Sequence, residues 1–508
     1  MAMRRVKTIE QSIRDTDEPE HRLRKSLSAV DLVVFGVGVV IGTGIFVLTG
    51  QQAALNAGPA IVISFILAAL VCGLAALCYA EFASTVPVAG SAYAFGYATF
   101  GELVAWIIGW DLVLELTLAA AVVARGWSAY AQNLLDLPTN IAGDNAVVDL
   151  AAIFIVLVIG VLLVLGTKLS GRVTGVLVAV KVAVVLFVVV AGLFFIDAAN
   201  YSPFVPPAVP AEAESGGHAP LIQVLAGLAP SHFGLWGVVA AAAIVFFAFI
   251  GFDVVSTTAE ETRNPQRDMP RGIIGTLIIV TILYAAVSFV ITGMRPYKEL
   301  NSAAPLAEAF DGVGATWAAK LISLGGIAGI TTVVLVLMLG QARVFFAMAR
   351  DGLLPPALAK VHPRFGTPWI ITIVTTVLVA ALSGFVTLSV LAEMVNIGTL
   401  FAFVVVSVGV IVLRRTRPDL PRAFRVPGVP VLPVVSILAC IWLMLNLPVD
   451  TWIRFAVWML LGLLVYVAYG WRNSRFARGE PAALTATTVE PPPGEPSPGE
   501  PGPGDPTP

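Results

Sequence analysis

Three groups of residues carry chemistry that an apolar segment does not need. The first is Gly42-Thr43-Gly44, inside "GVGVVIGTGIF" (36–46) in an otherwise hydrophobic run. Glycine is about 1 kcal/mol worse than alanine in a helix interior. A helix that opens there frees backbone N–H groups, and the half-helix that follows presents about half a positive charge at its N-terminus. The second group is Gly251 and Asp253 in "FFAFIGFD" (246–253), where a second apolar run is interrupted. The third is a set of ionisable side chains inside apolar runs: Lys181 in "GVLVAVKVAVVLFVVV", and Asp111 and Glu115, one helical turn apart on one face of "GWDLVLELTLAA". An ionisable residue at membrane depth is functional by default.

Each group also has a plainer reading. Gly38 and Gly42 form a GxxxG pair, a common helix-contact face. Asp253 fits the solvated end of a helix. Lys181 fits a snorkelling lysine, and Glu115 a structural carboxylate bonded to a neighbouring helix. Burial disfavours an ammonium, so a lysine held at depth can also gain and lose a proton.

The elements that must position these residues are membrane helices. The 508 residues are 58% hydrophobic and 12% charged, with a mean hydropathy of +0.90. A soluble domain is about half apolar and about a quarter charged, so an integral membrane protein is expected. A bilayer core takes about 20 apolar residues per helix. Twelve segments qualify, at about Leu32–Gly50, Ala60–Ala80, Leu103–Tyr130, Val147–Leu165, Val173–Phe195, Leu235–Thr258, Ile273–Gly293, Ala318–Met348, Trp369–Phe385, Ser389–Leu413, Val431–Leu445 and Ile453–Tyr469. An even number puts both termini on one side. Of the 30 Lys and Arg residues, 24 fall in the segments that share that side. By the positive-inside rule it is the cytoplasm. Residues 1–30 then form a polar cytoplasmic segment and 31–472 a twelve-helix membrane domain. The Pro-, Gly- and Glu-rich tail 479–508 is expected to be disordered. The charged residues through Asp31 give no cleavable signal peptide. Cys72, Cys78 and Cys440 all lie in apolar segments, so no disulfide framework is expected. A net charge of −2 gives no case for nucleic-acid binding.

The two breaks fall in the first and sixth segments. Five segments separate them, and five is odd, so the broken helices run in opposite directions. That is the geometry of a five-plus-five inverted repeat, over about 31–195 and 235–413, with two further helices at about 430–470. Transporters built this way bind their substrates at such breaks.

The chain closely resembles the amino acid–polyamine–organocation superfamily, in its cationic amino acid transporter branch, from about Leu27 to Tyr469. The residues that carry the resemblance are "LSAVDLVVFGVGVVIGTGIFVLTGQQA", "AGPAIVISFILAALVCGLAALCYAEFASTVPVAGSAY", "GELVAWIIGWDLVLELTLAAAVVARGWSAY", "FFAFIGFDVVSTTAEETRNPQRDMPRGI" and "GQARVFFAMARDGLLP". Twelve helices match the bacterial form of the branch. The resemblance implies an all-α, LeuT-like fold with helices 1 and 6 discontinuous, and an amino acid held between them. Gly42, Thr43, Gly44 and Ile45 would cradle its carboxylate through backbone N–H groups and the Thr43 hydroxyl. Carbonyls around Phe247, Ala248 and Ile250 would accept from its ammonium, with the Phe247 ring as a gate. In relatives with a lysine at position 181, the ammonium resembles a substitute for a sodium ion. It would contact first-helix carbonyls near Gly38 and the hydroxyl of Thr331 or Thr332, and proton coupling through Lys181 is the expectation. Glu115 and Asp253 would belong to a polar network, Asp253 bonding the broken backbone of its own helix. Leu337 and Met338 would close the side-chain end, their bulk favouring a small substrate. Arg125 would snorkel or pair, and Glu260, Glu261 and Arg343 would order cytoplasmic loops.

The function expected is therefore a proton-coupled amino-acid symporter of the plasma membrane, working by alternating access. An exchanger without net proton coupling fits the cradle equally well. No HExxH or GxSxG arrangement and no cluster of His or Cys suggests an intramembrane enzyme, and no cofactor or metal is expected. A buried lysine and two broken helices argue against a channel. The branch includes carriers of cationic and of small neutral amino acids, and Glu115 is the one obvious carboxylate at depth that a cationic side chain could use.

Overall fold

A capping box starts the first helix: the Asp31 N–H donates to Ser28 Oγ, and Asp31 Oδ2 accepts from the Ser28 N–H at 2.9 Å. From there the chain is almost wholly helical. The computed structural model describes residues 26–85, 91–143, 146–166, 171–210, 217–475 and 478. Residues 1–25 of the polar N-terminal segment and the tail 479–508 lie outside the described residues. Among the described residues the α-helices of eight residues or more are α1 (Ala29–Val40), α2 (Ile61–Thr85), α3 (Ser91–Thr99), α4 (Glu102–Leu135), α5 (Leu150–Val164), α6 (Gly171–Gly192) and α7 (Gly234–Val245). They continue as α8 (Pro265–Met294), α9 (Pro305–Gly312), α10 (Thr316–Arg350), α11 (Trp369–Phe385), α12 (Leu388–Thr416), α13 (Val431–Leu445) and α14 (Val449–Val465). One antiparallel strand pair departs from the all-α expectation, Val209–Pro210 against Ser231–His232.

Among the described residues, eight helical stretches are long and apolar enough to cross a membrane, and four shorter helices are apolar as well. Their exposed faces carry large aliphatic side chains such as Leu70, Ile282, Leu378 and Leu460, as lipid requires. Several helices outrun the predicted segments. α4 has 34 residues and α10 has 35. At about 1.5 Å per residue such a helix is about 50 Å long, well beyond the roughly 30 Å hydrocarbon core. Hydropathy marks only the part inside the core. The first segment, predicted to end at Gly50, stays helical to Ala57 and stops at Gly58, whose φ of +61° favours glycine.

Small residues and indole rings set the packing. A Cβ on Gly36 of α1 would overlap Thr276 of α8, and one on Gly160 of α5 would overlap Thr376 of α11. Such close approaches are the usual basis of helix association in lipid. α14 is fixed to α4 by Trp110 and Trp458, whose rings stack with centroids 4.6 Å apart. Each indole N–H donates to the other residue's carbonyl, at 2.9 and 3.3 Å.

Candidate substrate site at two facing breaks

α1 stops at Val40. Ile41 is extended (φ −71°, ψ 100°), its N–H donating back to Val37, and a second helical stretch opens at Gly44. The Gly42 carbonyl starts that stretch by accepting from Ile45 N–H at 3.2 Å and Phe46 N–H at 3.3 Å. Ile45, expected in the cradle, thus has its N–H engaged within the turn. The N–H groups of Gly42, Thr43 and Gly44 meet no backbone acceptor among the described residues. These three donors sit at the positive end of a helical stretch. The Thr43 hydroxyl is turned aside: it donates to the Val123 carbonyl of α4 at 3.4 Å, in the space that Gly126 leaves open.

The second break follows α7. A 3₁₀ turn, Phe246–Phe249, leads to an extended Ile250 (ψ 137°) and to Gly251, whose φ of +116° is open only to glycine at low cost. The Ile250 N–H donates to the Phe247 carbonyl at 3.1 Å, and the Gly251 N–H to Asp253 Oδ1 at 3.2 Å. Asp253 bonds its own broken helix, as expected. The carbonyls of Ala248 and Ile250 accept from no backbone N–H among the described residues, while that of Phe247 is already used.

The breaks touch. A Cβ on Gly44 would overlap the Ala248 backbone, and one on Gly251 would lie 2.9 Å from Val39 Cγ1. A cavity of about 20 Å³ remains, lined by Val40, Gly42, Thr43, Gly44, Ala119, Val123, Phe247, Ile250 and Leu337. Six expected residues thus meet around one space: Gly42, Thr43, Gly44, Phe247, Ile250 and Leu337. Met338 is fully buried beside it but does not line it. Val40, Ala119 and Val123 are additions that sequence reasoning missed, being apolar residues in apolar helices. A larger apolar groove lies between α2 and α8, lined by residues such as Leu70, Leu74 and Ile278, and reaches neither break.

Lys181 of α6 is fully buried. Its Nζ donates to the Gly38 carbonyl, to the Ile41 carbonyl at 3.3 Å and to Thr332 Oγ1 of α10 at 3.2 Å. The ammonium therefore sits at the C-terminal end of α1, where the helix dipole favours a cation. Gly38 also packs on α6, since a Cβ there would be 2.6 Å from Val178 Cγ2, so both readings of that glycine hold. Thr331 points elsewhere and accepts from Trp127 Nε1 at 3.0 Å.

Three polar groups unnoticed in the sequence hold the broken ends. Tyr284 Oη donates to the Val40 carbonyl at 2.9 Å, and Tyr130 Oη to the Phe46 carbonyl at 2.7 Å. Asn396 Nδ2 of α12 donates to the carbonyls of Ala243 and Ile244, both at 2.9 Å. An asparagine within an apolar span was the one available signal. The acids of α4 lie apart from the cavity. Residues 111, 115, 119 and 123 follow one face at intervals of four, and the acidic pair turns toward α12. A Cβ on Gly398 would be 2.9 Å from Asp111 Oδ1, and Glu115 pairs with Thr399. Arg125 pairs rather than snorkels, its Nε donating to the Ser383 carbonyl at the end of α11 at 2.9 Å.

The sequence is similar to named transporters along most of its length. It is 46% identical over 462 residues to the methylthioribose transporter of Bacillus subtilis (strain 168), covering 89% of this chain and 95% of that protein. It is 46% identical over 484 residues to the branched-chain amino acid permease BcaP of the same organism, covering 93% and 98%. It is 41% identical over 408 residues to the vacuolar cationic amino acid transporter 4 of Arabidopsis thaliana, covering 78% and 65%. These relatives are permeases and transporters, not enzymes. The amino acid permease model matches residues 27–467, a stretch that contains both breaks, Lys181 and every helix from α1 to α14, and the chain belongs to that family of multi-pass membrane proteins.

Proposed function

We propose that this chain is a secondary active transporter of the cell membrane that carries an amino acid with a compact, neutral, apolar side chain. The observation that supports this best is the pairing of the breaks. Among the described residues, the N–H groups of Gly42, Thr43 and Gly44, without a backbone acceptor, stand against the carbonyls of Ala248 and Ile250, without a backbone donor. A carboxylate and an ammonium on one carbon ask for those two surfaces side by side. The remaining lining, Val40, Ala119, Val123, Phe247 and Leu337, is apolar, which suits an aliphatic side chain and leaves a cationic one without a partner. Two relatives named as branched-chain amino acid permeases, one of them from Lactococcus lactis and 36% identical over 477 residues, fit the same substrate class. The cavity has room for about one water molecule, so loading requires the breaks to part, as in alternating access.

In this reading the twelve apolar stretches are twelve crossings, with termini in the cytoplasm. Helices α1–α6 (31–195) and α7–α12 (235–413) form the inverted repeats, and α13 and α14 (430–470) stand outside them. Lys181 couples transport to protons, because its ammonium joins α6 and α10 to the end of α1, next to the cradle. The test is purified protein in proteoliposomes with an imposed pH gradient and labelled leucine, isoleucine, alanine, arginine and methylthioribose. Gradient-driven uptake of the aliphatic amino acids is expected. Uptake only into vesicles preloaded with an amino acid, whatever the gradient, would make the protein an exchanger. Uptake of methylthioribose alone would overturn the substrate class.

A further inference from the structure

Glu81 lies in "CYAEFASTVP", near the end of α2 and away from both breaks. Its carboxylate joins three pieces of chain. Arg414, at the end of α12, holds it with two hydrogen bonds, Nε to Oε1 at 2.9 Å and Nη2 to Oε2 at 2.7 Å. The Val426 N–H, in the segment after α12, donates to Oε2 at 2.7 Å. Arg422 brings a second guanidinium, its Nε 3.4 Å from Oε1. The Glu81 and Arg422 side chains are each 5% exposed, and that of Arg414 is 26% exposed.

The two arginines are not equivalent. Arg422 is anchored within its own segment, donating to the carbonyls of Leu413, Arg417 and Leu420 at 3.2, 2.8 and 3.0 Å. Its Nε faces Glu81 with no hydrogen-bond partner among the described residues. One buried carboxylate is therefore fully bonded to one guanidinium with another beside it. Stripping a buried carboxylate of its partner is strongly unfavourable. A second guanidinium at 3.4 Å removes that barrier, because a small slide of α2 along α12 trades one partner for the other and keeps the charge paired.

The position of the cluster gives the slide a use. Alternating access moves one repeat or bundle against the other, and this contact joins α2, in the first proposed repeat, to the end of α12, in the second. We propose that Glu81, Arg414 and Arg422 form a partner-exchange latch, through which α2 shifts against α12 during transport. The latch rests on the transporter reading given above. Glu81 and Arg422 are then positioning residues: they set the rate of the conformational step and do not touch the substrate.

Arg422→Lys tests this by keeping the charge while removing the guanidinium that waits beside Glu81. Uptake of labelled leucine into proteoliposomes is compared with leucine-induced thermal stabilisation of the purified protein. The latch predicts that maximal uptake falls by about tenfold or more while the leucine midpoint for stabilisation moves by less than about twofold. The melting temperature without leucine should fall, since a lysine cannot keep all three carbonyl hydrogen bonds of Arg422, and the latch is read in the rate against the binding midpoint. Maximal uptake equal to wild type overturns the latch. So does a fall in binding as large as the fall in rate, or an Arg422→Lys protein that does not fold, since either makes the cluster a static staple. Wild-type protein that neither takes up nor is stabilised by any amino acid fails the transporter reading itself, and the two failures are told apart on the wild type.

Discussion

Gly42→Ala and Gly44→Ala are the same chemical change two residues apart, and the structure gives them opposite outcomes. A Cβ on Gly42 would lie 3.5 Å from its nearest neighbour, Val333 Cγ2, which is ordinary contact. A Cβ on Gly44 would lie 2.5 Å from Ala248 Cβ and 3.0 Å from Ala248 N. Ala248 has no rotamer to yield, so the backbones themselves must part. Ordinary contact begins at 3.4 Å; the Cβ pair alone asks for about 0.9 Å, and clearing the nearer Ala248 Cα separates the two breaks by about 1.1 Å. Overpacking of this kind costs about 1–3 kcal/mol, and replacing a glycine at a helical position returns up to about 1 kcal/mol. The Gly44→Ala protein should therefore fold and insert. Its site should not work, because a misplacement of about 1 Å can cost about 100-fold, equivalent to about 2.7 kcal/mol. Initial uptake rates in proteoliposomes give the efficiency, and leucine-induced stabilisation of purified protein gives binding. Gly44→Ala is expected to lower uptake efficiency about 100-fold, and Gly42→Ala by less than about threefold. Gly44→Val should abolish binding in a folded, inserted protein. An active Gly44→Ala, or a Gly42→Ala that is the worse of the two, would refute the reasoning.

Other changes separate the remaining roles. Lys181→Ala removes the cation that joins α6 and α10 to the end of α1 and should end uphill, gradient-driven accumulation; accumulation with the wild-type pH profile would sink the coupling proposal. Asn396→Leu deletes two hydrogen bonds to the end of α7 and should destabilise by about 1–3 kcal/mol, read as a lowered melting temperature. Leu337→Ala widens the lined cavity and should shift the phenylalanine-to-leucine uptake ratio about tenfold toward phenylalanine; an unchanged ratio would put the side-chain end of the site elsewhere.

What the sequence disclosed depended on contrast. Gly42, Gly44 and Gly251 stood out because they interrupt helices, and Lys181 because it is charged among valines. The structure puts a break, or a partner for one, at each. Val40, Ala119 and Val123 had no contrast with their neighbours. Their place in the cavity follows from how α4 turns toward α1, which composition does not encode. Tyr284 and Tyr130 were hidden for a related reason. An aromatic in a membrane helix suggests packing, and only tertiary contact reveals that each hydroxyl holds a carbonyl beside a break. Glu115 could be read from its charge either as part of a polar network or as a structural carboxylate bonded to a neighbouring helix; its carboxylate turns toward Thr399, and the small Ala119 one turn on lines the cavity.

The hydrogen bonds of Lys181 carry the coupling argument one step further. The Thr332 hydroxyl proton is committed to the Gly329 carbonyl at 2.7 Å, so Thr332 Oγ1 can only accept from Nζ. Gly38 and Ile41 offer carbonyls, which also only accept. Three acceptors require three N–H bonds, which the ammonium has and a neutral amine does not. Loss of the proton leaves one of the three unsatisfied in a buried site, where an unpaired polar group is costly. The contact to Ile41, at 3.3 Å, is the longest of the three, with that to Thr332 at 3.2 Å and that to Gly38 the shortest. Ile41 directly precedes Gly42, the first donor of the cradle. Under the proposed coupling, deprotonation of Lys181 would release the chain one residue from the proposed carboxylate cradle and would link proton and substrate through the backbone of the break itself.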